Sequence, residues 1–251
     1  MREQPREALV LTRIKGIIPL ILVLLGSAAL RLVHLDYSHF QGDELSALYP
    51  LKIPFPESII EQLKGPVQVL ITLAVRMLSG EYGEWETRLP FSLASLLTVY
   101  MIYLFSHVVF NRRTALLSAA LVGSCGLIVA FGRIVQYQAF VMLSISFSAY
   151  ALVRWHQDGK AHWLYLALVV YAIGVLSHYD ALTFLPALLV LLLLGFRTRE
   201  QRTWSGFLHV ILAGLFALLL AGSFYIPFIF RPGFASVTDY LQDRVTGGSV
   251  R

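Results

Sequence analysis

The chain has 251 residues, of which 57% are hydrophobic and only 14% charged, with a mean hydropathy of +0.69. Soluble domains carry about 25% charged residues, so this composition excludes an ordinary water-soluble domain and points to lipid as the main solvent. The net charge of +5 is spread over several short segments rather than gathered in one patch, which argues against nucleic acid as a partner.

Seven intervals between charged residues read as spans: 16–33, 89–111, 114–132, 134–153, 161–179, 181–196 and 203–230. A bilayer crossing needs roughly 17–25 apolar residues, and in lipid each crossing must be helical to satisfy its own backbone. The first span lacks a small-x-small cleavage pattern and reads as an uncleaved anchor. Arg31, near its end, is expected to snorkel to the interface. The sixth interval is short, and 161–196 reads alternatively as a tilted hairpin around His178, Tyr179 and Asp180. Cys125, the single cysteine, lies inside an apolar run and has no intrachain disulfide partner.

Between the first two spans lies a long segment, about 34–88. It opens with HFQGDELSALYP, which sets Asp43 and Glu44 side by side after Gly42. Pro50, Pro54 and Pro56 punctuate it, and Ser58-Ile-Ile-Glu61 reads as a capping box opening a short helix. Next comes GPVQVLITLAVRMLS, with Val67, Leu70, Ile71, Ala74, Val75 and Leu78 at helical spacing and Gln68, Thr72 and Arg76 on another face. This predicts an interfacial helix lying on the membrane, with an eighth span as the alternative. After Phe230 the chain turns polar, and it is expected to be the N-terminal part of a longer protein.

Charge chooses between seven and eight spans. With seven, the clusters Arg2/Arg6/Arg13/Lys15, Arg112/Arg113, Arg154/Lys160 and Arg197/Arg199/Arg202 all face the cytoplasm, as positive-inside loops should. An eighth span would translocate the last three clusters. The expected fold is therefore all-α: a polytopic membrane helix bundle in a single domain, N-terminus cytoplasmic, with a long outer loop carrying short interfacial helices.

That topology gathers Asp43, Glu44, Lys64, Arg88, Arg133, Gln136, His178, Tyr179 and Asp180 on the outer face, and ionisable groups at membrane depth are functional candidates. Each also has a plainer reading. Asp43 caps a helix from Glu44 onward, Arg88 pairs with Glu84 four residues earlier, Arg133 marks the topology, and His178 and Tyr179 belong to an interfacial belt. Lys64, before Gly65-Pro66, reads as a phosphate contact.

The motifs run in a particular order: GDE on the outer loop, a segment opened by GP, E-x-x-x-R-L-P from Glu84 to Pro90, R-x-x-Q-Y (Arg133, Gln136, Tyr137), and HY (His178, Tyr179). In this order the chain resembles the polyprenyl- or dolichyl-phosphate-sugar glycosyltransferases of the protein O-mannosyltransferase type, in the GT-C superfamily, and more closely their bacterial members. The likeness covers about Arg31 to Pro186. It implies a GT-C-like bundle in the cell (inner) membrane with its active site on the periplasmic face. It implies Asp43 as catalytic base with Glu44 in support, and donor-phosphate binding by Arg133, then Arg88 and Lys64. Gln136, Tyr137, His178 and Tyr179 stand on the sugar or acceptor side. The sequence departs from the family in having GPVQ where many members have a Pro-Pro-Leu stretch, and in stopping where they continue for several more spans.

The implied chemistry suits these residue types. A sugar on a lipid phosphate already carries a good leaving group, so one general base for the acceptor hydroxyl and cations for the departing phosphate suffice, with inversion. The expected partners are a polyprenyl-phosphate-linked sugar, membrane lipid, and a protein, lipid or glycan acceptor, with no nucleic acid. No cofactor is assigned: some relatives use a divalent metal ion and others do not. The competing readings are a multi-pass transporter or flippase-like protein and an inactive truncated fragment.

Overall fold

A computed structural model describes residues 6–48, 54, 59, 65–196, 203–231 and 234, with only the backbone for 6–16 and 46. Among these residues the chain is all-α, without strands. In order the helices are α1 (Arg6–Leu32), α2 (Asp43–Leu48), α3 (Val67–Ser79), α4 (Glu84–Val109), α5 (Arg112–Ser124), α6 (Gly126–Gly132), α7 (Gln138–Asp158) and α8 (Ala161–Ser177). A 3-10 helix (Tyr179–Phe184), α9 (Leu185–Gly195) and α10 (Trp204–Ile229) follow.

Local chemistry sets several of these boundaries. Asn111 caps α5 by accepting from the Thr114 N–H at 3.0 Å, and Thr203 caps α10 from Gly206 at 3.1 Å. Glu84 and Glu86 lie in the first turn of α4, where carboxylates complement the helix dipole. Gly80 closes α3 in a left-handed conformation, φ 83°.

At about 1.5 Å per residue, the 26-residue helices α4 and α10 reach roughly 39 Å, beyond the roughly 30 Å of hydrocarbon. Both are apolar enough to cross, and α5 with α6, bent by 62° between them, makes a third candidate. The other intervals expected as spans are helical, as α1, α7, α8 and the 3-10 helix joined to α9, and their described parts are shorter or less apolar than α4 and α10.

Helix α7 is central, packed against α4, α8 and α9. Its Trp155, Leu152 and Val141 join Leu164, Ala167 and Tyr171 of α8 in the main core. Small residues allow this approach: a Cβ on Gly174 would lie 2.7 Å from that of Ser144, and Ser148 donates across to the Ala167 carbonyl at 2.9 Å. The outside is apolar. Leu215, Leu218 and Leu219 of α10 and Leu117 and Leu121 of α5 are all more than half exposed, a surface that requires lipid. Helix α3 is turned the same way: Gln68, Val69 and Thr72 face the protein while Met77 and Leu78 are 78% and 89% exposed.

Arg31 departs from expectation. It does not snorkel: it is fully buried between α1, α4 and the α5–α6 break. Its Nε donates to Ser95 Oγ at 2.8 Å and its Nη1 to the carbonyls of Ser27 (3.1 Å) and Gly123 (2.8 Å). The helix break explains the burial. A carbonyl released from the i→i+4 ladder beside Cys125 supplies an acceptor that an unbroken helix would not.

Candidate active site

Helix α1 ends at a turn in which His34 adopts a left-handed conformation, φ 48°, which costs a non-glycine residue about 1–2 kcal/mol. Arg133, just beyond α6, ties this turn down. Its Nη1 donates to the Leu30 and Val33 carbonyls, both at 2.9 Å, and its Nη2 to the His34 carbonyl at 2.8 Å. A guanidinium over carbonyls at a helix C-terminus also meets the favourable end of the dipole. Arg133 thus spends three of its five N–H groups on α1 and keeps its charge at this end of the bundle.

Arg88, in the first turns of α4, is fully buried, and Glu44 of α2 is 3% exposed. They form a two-point pair, Nε to Oε1 and Nη2 to Oε2, both at 2.8 Å. The remaining donors of Arg88 reach the carbonyls of Leu35 and Ser38 (both 2.9 Å) and His39 (3.4 Å). Tyr37 and Phe40 cover the guanidinium at 4.9 and 5.3 Å. All five N–H groups are therefore taken by the chain itself, and none is left for a phosphate. The helical pair with Glu84 is not made either; Glu84 instead bonds His39 at 2.8 Å. Buried charges need such complete pairing because each is strongly desolvated.

Glu44 faces inward and Asp43 outward, as neighbours at a helix start should. Gly42 before them has φ 54°, a turn that glycine makes without strain. Glu44 also accepts the Val135 N–H at 3.0 Å, and Gln136 donates its side-chain amide to Asp43 Oδ2. Asp43 itself is exposed. The Asp43–Glu44 pair thus meets the short non-helical stretch between α6 and α7, about 90 residues away in sequence.

The same stretch reaches the turn after α8. Tyr137, 5% exposed, stacks on His178, 1% exposed, with centroids 3.7 Å apart and planes within 7°. The Tyr137 hydroxyl donates to Asp180 Oδ2 at 3.3 Å, and His178 Nδ1 accepts the Asp180 N–H at 3.1 Å, capping the 3-10 helix. Tyr179 is half-buried beside His178, with centroids 4.0 Å apart. Tyr137 and His178 are therefore packed into the wall, while Asp180 is exposed.

Lys64 lies outside the described residues. Its neighbour Gly65 is buried against the end of α8: an added Cβ would lie 1.9 Å from the Leu176 carbonyl oxygen, so only glycine permits the approach. Three residues on, Gln68 donates to the Val135 carbonyl at 3.4 Å. Gln68 was visible in the sequence only as a polar position on a helix face. The tertiary contact with Val135 places it at the site.

Of the residues expected to converge, Asp43, Glu44, Arg88, Arg133, Gln136, His178, Tyr179 and Asp180 stand at one end of the bundle, linked through residues 133–137, with Tyr137 among them. Among the described residues, no three His, Cys, Asp or Glu side chains gather into a metal-binding group. The arrangement presents an exposed carboxylate, oriented by an amide and set on a loop pinned by two arginines, at the edge of an apolar bundle. Such a group can take a proton from a hydroxyl brought to it.

Residues 64–226 match the family model for dolichyl-phosphate-mannose-protein mannosyltransferases. This is well over half of the chain, which belongs to that family. No curated protein and no solved structure matches it.

Proposed function

We propose that this membrane glycosyltransferase of the GT-C type moves a sugar from a polyprenyl-phosphate donor to an acceptor hydroxyl, with inversion, at Asp43. The observation that carries the reading is the exposed Asp43 carboxylate held by the Gln136 amide at the meeting point of three distant segments. Asp43 removes the hydroxyl proton as the acceptor oxygen attacks the anomeric carbon. The bond from that carbon to the phosphate oxygen breaks, and the lipid phosphate leaves with the electron pair. The donor is a phosphate diester, and the lipid phosphate monoester it releases departs as a stabilised anion, so no second acid is required.

The other expected site residues divide by role. Arg133, with its charge at the site and two N–H groups beyond those given to α1, faces the departing phosphate, joined by Lys64. Arg88 and Glu44 act on the reaction through Asp43: their pair fixes the loop that carries it. Gln136 orients the base, Tyr137 and His178 form the wall, and Tyr179 lies on the acceptor side. The positive-inside distribution of Arg and Lys supports seven crossings, with this end of the bundle on the periplasmic face of the cell membrane.

The test is transfer from a polyprenyl-phosphate mannose in proteoliposomes. Asp43→Asn removes the base while leaving an oxygen for Gln136, so turnover should fall by about 10²–10⁴-fold with expression unchanged. Turnover within threefold of the parent protein removes Asp43 from this role.

A further inference from the structure

Gln68 has a carboxamide that is only half used. The side chain is 3% exposed, and its Nε2 donates to the Val135 carbonyl at 3.4 Å. Its Oε1 is buried and accepts from nothing among the described residues. Rotating the amide does not help: Oε1 would then face the Val135 carbonyl, acceptor against acceptor, and the amino group would be stranded instead. Polar atoms buried without a partner are rare because each forfeits its hydration, so an orphaned acceptor signals a donor that arrives from outside the chain.

The position indicates which donor. The peptide unit that receives Gln68 at its carbonyl belongs to Val135, whose own N–H goes to Glu44. The next residue, Gln136, holds Asp43. Gln68 is therefore bonded to the residue that precedes the one holding the carboxylate assigned to the reaction. Two residues beyond Gln136, Gln138 Oε1 is also buried without a partner among the described residues. A hydroxyl group is what such an acceptor binds.

We propose that Gln68 Oε1 accepts a hydrogen bond from a hydroxyl of the transferred sugar, making α3 part of the sugar subsite. The inference rests on the lipid-linked sugar donor of the preceding section. Gln68 is there a specificity-determining residue, reading the sugar rather than the lipid phosphate.

The experiment measures equilibrium binding of two probes to the purified protein in nanodiscs: a short polyprenyl-phosphate mannose, and the same polyprenyl phosphate without the sugar. The parent protein should prefer the mannosylated lipid. Gln68→Met, of similar length but without the acceptor, should lose about tenfold of that preference while binding the bare lipid as before. Gln68→Asn, which withdraws the same carboxamide by one methylene, gives the same loss and serves if the methionine variant does not fold. Thr72→Val, one turn along the same buried face, controls for disturbance of α3 and should keep the preference. If the parent prefers the mannosylated lipid and both Gln68 variants keep that preference, Oε1 is satisfied by bound water and the inference falls alone. A parent protein that binds both lipids equally also overturns it. If the parent binds neither lipid, the lipid-donor reading falls and takes the inference with it.

Discussion

Replacing Arg88 by methionine would strip the segment between α1 and α2 of its anchor. The substitution leaves the Glu44 carboxylate, 3% exposed, with only the N–H groups of Val135 at 3.0 Å and Gln41 at 3.3 Å. Removing one partner of a buried ion pair costs about 3–5 kcal/mol, because the other charge stays behind uncompensated. It also releases the carbonyls of Leu35, Ser38 and His39, so the cost should fall at the upper end. Glu44→Leu in the same background removes the stranded charge, and the double variant should recover most of the loss, since a buried pair and an apolar pair of similar volume are often equivalent. The pair would then show a coupling of about 3 kcal/mol in a double-mutant cycle. Thermal unfolding in detergent reads the stability, and hydrogen exchange over residues 33–44 reads the loop. Transfer activity should stay low in the double variant, because Asp43 has lost its mounting. An Arg88→Met cost below about 1 kcal/mol, or simple additivity in the cycle, would refute the buried pair.

Three other substitutions probe neighbouring contacts. Gly65→Ala must push a Cβ into the Leu176 carbonyl 1.9 Å away, a backbone clash that should cost about 1–3 kcal/mol; a loss under half a kcal/mol in detergent melts means that the approach is not so close. Arg31→Leu orphans the Gly123 carbonyl, worth about 1–3 kcal/mol, so amide exchange across residues 123–133 should accelerate by roughly tenfold or more; unchanged protection removes Arg31 as the clamp on the helix break. Arg133→Ala should both destabilise the α1 turn and raise the donor KM by about tenfold, an amount worth ~1.4 kcal/mol, whereas Arg133→Lys keeps the charge without the fork and should restore the KM but not the melting temperature. Equal behaviour of the two variants in both measurements would separate Arg133 from the donor.

The location of the helices followed from the intervals between charges, because a backbone in lipid has no alternative to satisfying itself within the segment. The same logic exposed Asp43 and Arg133 as interruptions in an otherwise apolar chain, and their convergence at one end of the bundle needed only the order of the spans. Partner choice was a different matter. Helical spacing offered Glu84 to Arg88, yet the guanidinium goes to Glu44, 44 residues away, because only a carboxylate brought in by the folded loop can neutralise a charge that packing has removed from solvent. Arg31 read as a marker of the interface, but the break at Cys125 offers it a buried carbonyl that no local pattern announces. Gln68 read as one polar position on a helix face until α3 turned that face to Val135. What the sequence by itself determined was the set of elements and the end of the bundle where charge collects, since both depend on local patterns of burial. Which charge is spent on structure and which is left exposed was decided by tertiary structure alone, because that depends on which hydrogen-bonding groups distant segments bring within about 3 Å of one another.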